Sequence, residues 1–496
     1  SDYHSVGHAM NLKAGHFHIY KTLLKLKNAV TSISRMTNIT RIAQEFHPPS
    51  VLVIIITEVT LPICDLYTGR RCTMKILQKI ILAAALLIIF LPNIVYPACT
   101  GGSPQWNATP DYESVNSCVS RARSGDTINI SAGRATWNSA LLIGTKTLTL
   151  SGSGIDSTVI TGTNASARFM IDMGSGGSKI YDMTIVNLPI RVDGQNFVIG
   201  RVKFDNPNGS GLFRLVNIWG YYGIHPTGVI HSCIFNHASI LVFGIYDDLD
   251  VMASTHSLPY PFGDPRNTVY IEGNTFIKNS DGVENILDGR LSARTVFRYN
   301  TATSKSAATN SAFYLEAHSI QERTSLRGYM RWEYYNNILD NKGGWHYMPF
   351  RIRAGTGVVF NNSVTGNWTN DAIALDNCRS FDTNLSSSLA GMCDGSSPWD
   401  GNEDSTGYPC RDQIGRGYDT VPWVSNPPGR YTQVLMPAYA WNNKTESNSE
   451  VPFTVINNSG HHIKPNRDYY NYTPSFNGTS GMGRGPLSAR PTLCTI

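Results

Sequence analysis

The chain lacks sustained helical periodicity across its middle. Between Phe197 and Val364 no stretch keeps apolar residues at three-and-four spacing, which argues against helix bundles and recurring strand–helix–strand units there. Phosphate chemistry has no support either, because no Gly-rich run is followed by the Lys-Ser/Thr pair of a phosphate-cradling loop. No cysteine spacing is zinc-like, and His461-His462 has no further ligands at useful spacing. Long apolar runs are missing as well. Ile80–Leu91 and Val51–Thr57 are both shorter than the roughly 20 residues of a membrane-spanning helix, so no stable span is expected in the mature chain.

What the chain does have is a returning phrase: apolar residues at alternate positions, then Asn or a small residue, then another apolar residue. It reads F-V-I-G-R-V-K-F (Phe197 to Phe204), G-V-I-H-S-C-I-F (Gly228 to Phe235) and V-Y-I-E-G-N-T-F (Val269 to Phe276). It returns as T-V-F-R-Y-N-T-A (Thr295 to Ala302), R-W-E-Y-Y-N-N-I (Arg331 to Ile338) and V-V-F-N-N-S-V (Val358 to Val364). Alternation makes each copy a short strand. The anchors Asn274, Asn300, Asn337 and Asn362 are separated by 26, 37 and 25 residues, room for a coil of two or three strands and turns. One such coil cannot bury its own apolar face, so coils must stack. Stacked coils pair in parallel with right-handed connections, and equivalent Asn side chains can form a ladder at a bend. The long interval points to an inserted loop at His318 to Tyr329. A β-sandwich with Gly-rich turns is the alternative.

From about Ala98 to Val364 the chain resembles the right-handed parallel β-helix proteins, the pectate-lyase-like superfamily. Besides the repeats, the resemblance rests on S-V-N-S-C-V-S-R-A-R-S-G-D-T-I-N-I-S-A-G (Ser114 to Gly133) and L-T-L-S-G-S-G (Leu148 to Gly154). It implies an all-β solenoid, a right-handed parallel β-helix whose open core is capped by a short N-terminal helix. After about Gly366 the strand phrase stops and Pro, Gly, Trp and Asn become dense, so residues 366–496 are expected to form a loop-rich segment packing on or capping a solenoid of residues 99–365.

At Met74 a basic start, an apolar run and a small-residue exit at Ala98 read as a secretory signal peptide, with a lipid-modified Cys99 as the alternative. Residues 1–73 then read as a mis-assigned or non-mature leader, or as an N-terminal anchor using Val51–Thr57. The expected location is secreted or cell-surface, with the periplasm as a variant. Residues 1–98 hold ten Lys+Arg and four Asp+Glu, a balance of +6; the whole chain is +5, so the remainder is −1. That balance gives no electrostatic case for nucleic acid. After export, Cys99 could pair with Cys118 and fasten the cap, and two of Cys378, Cys393 and Cys410 could staple later loops. Cys233 falls on the inward phase of its strand. Sequons such as Asn107, Asn129 and Asn367 are read as polar turns of a bacterial chain.

The strand after each Asn bend should present its outward residues on one lateral face. Asp288, Arg351 and Asp376 each lie 14 residues after an Asn anchor; Glu316 and Arg353 lie 16 after theirs, with Arg290 and His318 close by. Coils about 4.8 Å apart would stack these charges into a groove for an extended polymer. The resemblance implies two chemistries. In β-helix lyases a basic residue abstracts the proton α to a uronate carboxyl while calcium or a second cation stabilises the intermediate. Arg290, Arg351 and Arg353 are the candidates for such roles, with Asp288, Glu316, His318 and Asp376 contacting substrate or a cation. In β-helix hydrolases a carboxylate pair does the work, and Asp288 with Glu316 is available. A solvated ladder of opposite charges is the bland alternative.

Asp400, Asn402 and Asp404 place oxygen ligands at alternate positions like the start of a calcium loop, but Ser405 and Asp412 stand where Gly and Glu belong, so a solvated acidic turn competes with calcium. Tyr221, Tyr222, Trp332, Tyr334, Tyr335, Trp345, His346 and Tyr347 could stack on sugars, with core packing the expected role for most. The expected partner is an extracellular polysaccharide, bound and cleaved by β-elimination ahead of hydrolysis. A non-catalytic adhesion, matrix or self-associating structural protein is the alternative.

Overall fold

The structure is a computed structural model that describes residues 99–163, 171–207, 214–221, 224–245, 267–278, 285–304, 314–319, 327–346, 348–368, 373–376, 412–419, 433–456 and 462–472. The leader and signal segments, Asp400, Asn402, Asp404, Tyr222, Tyr347, His461, Cys378, Cys393, Cys410 and Cys494 lie outside these residues, as do the side chains of Trp345 and His346.

Three parallel ladders wrap one apolar core into a right-handed parallel β-helix. The first runs through Phe197–Gly200, Gly228–His231, Val269–Glu272, Arg294–Arg298, Arg331–Tyr335 and Thr356–Phe360, each hydrogen-bonded to the next. The second runs through Lys203–Asp205, Ile234–Asn236, Thr275–Lys278, Thr301–Ser304 and the start of Ile338–His346. Lys179–Val186 and Phe197–Asp205 pass through both, so these ladders form one sheet bent at a corner. The third is a separate ten-stranded sheet that includes Arg214–Trp219, Ser239–Phe243, Leu287–Arg290, Leu315–Ala317, Phe350–Ile352 and Ile373–Leu375. Alternation fills the interior: Ile199, Ile230, Ile271, Phe297, Tyr334 and Val359 sit in register and are fully buried. Phe204, Phe235 and Phe276 stack at centroid distances of 5.0 and 4.6 Å.

The first corner is built from one left-handed residue per coil: Arg201 (φ 52), Ser232 (φ 55), Gly273 (φ 63), Tyr299 (φ 57), Asn336 (φ 55) and Asn361 (φ 53). This conformation turns the chain sharply, at a steric cost for every residue except glycine. The next residue points inward, and from Asn274 onward it is asparagine. Asn274 Oδ1 accepts the Cys233 backbone N–H at 2.9 Å, and each later asparagine Oδ1 accepts the backbone N–H of the asparagine one coil earlier: Asn274 to Asn300 at 2.9 Å, Asn300 to Asn337 at 3.0 Å, and Asn337 to Asn362 at 3.0 Å. Each Nδ2 donates to a backbone carbonyl, as from Asn337 to Phe297 at 2.9 Å. Buried backbone groups that strand pairing leaves at the bend are thereby satisfied. Below Asn274 the position belongs to Cys233, a free, buried thiol that burial pushes up to about 12.

The column has a fifth member beyond the expected set, Asn443, whose Oδ1 accepts from Asn362 Nδ2 at 2.8 Å. The coil therefore runs past the boundary expected at residue 365. Ala438–Trp441 joins the first ladder, Lys444–Thr445 the second, and Ile373–Leu375 and Phe453–Val455 the third. An insertion between Asp376 and Ala438 displaces the phrase Trp441-Asn442-Asn443 from its predecessors, which hides its kinship. The insertion carries an antiparallel pair, Arg416–Asp419 with Gln433–Leu435.

At the other end, the helix Tyr112–Arg121 covers the first coils with buried Val115, Cys118 and Val119. Asp111 caps it by accepting the Ser114 N–H at 2.9 Å. Cys118 is joined to Cys99 by a disulfide, Cα–Cα 5.2 Å. The buried Trp332, Tyr334 and Tyr335 are packing residues.

Replacing Asn337 by Leu would leave the Asn300 N–H and its own contacts unmatched in the core, at a cost of about 1–3 kcal/mol for each orphaned group. Cys233→Ala, which keeps the backbone bonds, should cost less. Urea unfolding midpoints check the order; equal midpoints would show that the column does not hold the corner.

Candidate functional site

The charged residues gather on the outer face of the third ladder. In this sheet Leu287, Gly289, Leu315, Ala317, Phe350 and Ile352 point into the core, so the residues between them point out. Pairing places Asp288, Glu316 and Arg351 side by side in one outward column. Two residues on, the same register carries Arg290, His318, Arg353 and Asp376 as a second column, consistent with the bonds His318 N–H to Gly289 O (3.0 Å), Arg353 N–H to Ala317 O (2.8 Å) and Asp376 N–H to Ile352 O (3.1 Å).

Counting from the asparagines grouped these residues differently. In backbone register Arg351 is level with Ala374, so Asp376 falls two residues further on, although its side chain still reaches Arg351; Glu316 is level with Asp288. The turns between the second and third ladders differ in length, so distance along the chain does not keep register. The loop expected at His318 to Tyr329 returns to its origin, with the Tyr329 N–H donating to the His318 carbonyl at 2.8 Å.

The contacts are dense. Asp288 Oδ2 accepts from Arg214 Nη2 at 2.8 Å and from Arg290 Nη2 at 2.7 Å. His318 Nδ1 lies 3.5 Å from Asp288 Oδ1 and 3.4 Å from Glu316 Oε1. Glu316 also meets Asn285 and the Arg353 guanidinium. Arg353 Nη2 lies 3.1 Å from His318 Nδ1, and Arg351 Nη2 is 3.0 Å from Asp376 Oδ2. Asp288, Glu316 and Asp376 are at most 3% exposed as side chains, whereas Arg214, Arg290 and Arg351 are 34%, 22% and 25% exposed. The arrangement is a buried carboxylate frame with a guanidinium rim, so the solvated-ladder reading does not describe these carboxylates. Arg353 is buried inside the frame. A role for it in direct contact with a polymer does not fit that position; it braces Glu316 and His318.

Burial works against the Asp288 carboxylate, but Arg290 and Arg214, joined by His318 once acid protonates it, more than offset it and hold its carboxyl below the usual range. Burial drives His318 down to about 3, with Asp288 opposing and Arg290, Arg351 and Arg214 assisting. The pair is therefore a neutral imidazole beside an ionised carboxylate at neutral pH. Burial also lowers the Arg214 guanidinium, with Arg290 contributing. For Arg351, burial is outweighed by Asp376, and its affinity for the proton rises.

Ligand atoms of Asp288, Glu316 and His318 lie within 4.8 Å of one another, close enough to share one cation. Arg290 and Arg353 already lie against those carboxylates, and the rim repels a metal ion. Arg214 and Asn285 were missed in the sequence. Arg214 reaches across two coils to Asp288, and no asparagine anchor registers its coil.

No protein-family model matches the chain, and no curated protein matches it. Among solved structures it is similar to the catalytic domain of a GH87 alpha-1,3-glucanase in complex with tetrasaccharides, at 13% identity and a TM-score of 0.24, over 74% of this chain and 70% of that one. A second such domain, in complex with nigerose, is 11% identical with a TM-score of 0.26, again over 74% and 70%. Likeness at this level carries no argument about substrate or mechanism; the three ladders define the fold.

His318 gives a pH signature. Its pKa falls from 6.5 when unfolded to about 3 when folded, so the unfolded chain binds the extra proton between those values. Stability due to His318 is thus complete above pH 6.5 and is lost on acidification, at about 1.4 kcal/mol per pH unit inside the window. His318→Gln should flatten the stability–pH curve between pH 6 and 4. An unchanged slope in urea titrations of that variant would show that His318 is not held neutral.

Proposed function

We propose that this chain binds an acidic polysaccharide along its third ladder and cleaves it by β-elimination. One observation carries the reading: Arg214 and Arg290 converge on a single buried carboxylate oxygen of Asp288 while their guanidinium groups stay partly exposed. Guanidinium is planar, always charged in ordinary surroundings, and matched to carboxylates in two-point geometry. A frame of buried acids that aims such groups outward suits a polymer bearing carboxylates better than a neutral glucan.

In the reaction, a base removes the proton on the carbon next to the uronate carboxyl. The electron pair forms a carbon–carbon double bond as the neighbouring glycosidic C–O bond breaks, and the departing oxygen takes up a proton. Arg290 and Arg351 hold the uronate carboxylate and stabilise the charge that moves onto it. Arg351, whose proton is held more tightly, fits the clamp rather than the base. The base is assigned by position: Arg214, partly exposed beside Arg290 and held by Asp288, is the rim residue left for it. Hydrolysis is less well supported: both Asp288 and Glu316 are buried and tied to Arg214, Arg290 and Arg353, so neither is presented to a glycosidic bond.

The second reading, a non-catalytic glycan-binding scaffold, draws on the same observation, since every carboxylate of the frame is already tied to a cation. Under either reading the protein acts outside the cytoplasm, supported by the signal-like stretch from Met74 and by the Cys99–Cys118 disulfide.

Incubation with a panel of polyuronates and neutral glucans should release unsaturated ends, seen as ultraviolet absorbance, from polyuronates only. Arg290→Ala should lower turnover on the order of a hundredfold with folding retained. New reducing ends without absorbance would point to hydrolysis. Retained binding without new ends would leave the scaffold reading, and no binding to any polyuronate would overturn the proposal.

A further inference from the structure

The arginine–carboxylate cluster occupies only part of the third ladder's outer face. Next to it lies a patch of different chemistry. The column that holds Arg290 continues backward through Phe243 and Trp219, both outward-facing and in register. Trp219 meets Phe243 at a centroid distance of 5.4 Å and Tyr221 at 5.9 Å. The Arg191 guanidinium lies 5.1 Å from the Trp219 ring centroid and 5.4 Å from that of Tyr221. Arg191 is itself fixed by Asp193, with Nη2 to Oδ2 at 2.6 Å. Trp219 is buried beneath this group, whereas Tyr221, Phe243 and Arg191 are partly exposed.

We propose that Tyr221, Phe243 and Arg191 form a second saccharide subsite, continuous with the arginine cluster and occupied by a sugar ring of the same acidic polymer. The inference rests on the polysaccharide reading and deepens it by giving the polymer a direction and a minimum length. A pyranose ring has an apolar C–H face that packs on aromatic rings and a rim of hydroxyls that accept from a guanidinium. An aromatic patch with a fixed arginine at its edge presents both partners together. Its place in the ladder supplies the continuity, since Phe243 is one coil from Arg290. A polymer lying along the helix axis from Arg191 to Arg351 crosses six successive coils, about 24 Å at the spacing of parallel strands. A single uronate held between Arg290 and Arg351 would reach Phe243 at most, since Trp219 with its neighbour Tyr221 and then Arg191 lie two and three coils beyond Arg290.

The test uses the full chain and size-fractionated oligouronates, with binding measured by calorimetry and cleavage by absorbance. Tyr221→Ala and Phe243→Leu should each weaken binding of long oligomers, or raise their KM, by roughly tenfold. The shortest oligomers bound by the unmodified protein should keep their affinity, and kcat should hold. Thermal melts check folding, and Phe243→Leu keeps the apolar contact should Tyr221→Ala not fold. An equal loss for short and long oligomers would mark a purely structural role and overturn the subsite, as would no loss at all. Failure of the unmodified protein to bind oligouronates of any length would show first, before variants are compared, and would remove the polysaccharide reading together with the subsite.

Discussion

Everything else in this molecule depends on how the chain turns its first corner without leaving backbone groups unpaired. A solenoid of short strands must bend sharply on every coil, and each bend takes peptide groups out of the strand ladder. An unpaired N–H inside the core would cost as much as several good contacts return. The asparagine column removes that cost with a side chain that both accepts from the coil before and donates to a backbone carbonyl. Because each asparagine is bonded to its neighbours on both sides, the column also fixes how the coils register. One coil cannot shift along its strand axis without breaking bonds to two others. Cys233 shows where the device begins. At that coil the Cys233 backbone N–H donates to Asn274 Oδ1 at 2.9 Å, so the side chain has only to fill space, and a small apolar residue suffices.

That register is what brings chemistry together on the third ladder. Strand pairing keeps an unbroken register from Ser239–Phe243 to Ile373–Leu375, whereas the turns between ladders are free to lengthen. Loops can therefore be inserted after His318 or after Asp376 without moving Glu316 relative to Asp288 or Arg353 relative to Asp376. Arg214 and Asp288 lie 74 residues apart in sequence yet share a hydrogen bond. A rigid stack with variable turns builds a site from residues on many coils and keeps each at a fixed height.

The same logic explains what was legible in the sequence. Alternating apolar residues and a recurring Asn are local signals, so the strands, the solenoid and four members of the column could be read directly. Asn443 could not, because a long insertion breaks the interval that made the others recognisable. The outward phase of Asp288, Glu316, Arg290, His318, Arg351, Arg353 and Asp376 followed from alternation alone. Their pairing did not, because turn length decides it. Burial was also invisible: a charged residue on an outward position reads as solvated until its surroundings are known. Arg214 stayed hidden because a long side chain chooses its partner in space, two coils away.

The burial changes what the cluster can mean. On an exposed surface, alternating charges on adjacent coils would add little, about 0–1 kcal/mol per pair. Inside the protein the balance is different, because taking carboxylates and guanidinium groups out of water costs several kcal/mol each, and well-packed apolar residues would serve stability as well or better. Asp288, Glu316 and Asp376 are buried in a sheet whose neighbouring positions are filled by apolar side chains without difficulty, such as Leu241 and Ala374 in the same column. Stability alone therefore does not account for their presence. A buried acid that is already paired does one thing an apolar residue cannot: it holds a guanidinium in a fixed orientation at the surface, with its ordering entropy spent before any ligand arrives. Under the proposed function, the carboxylates are the fixed half of an anion-binding surface and the arginines the half offered to the polymer.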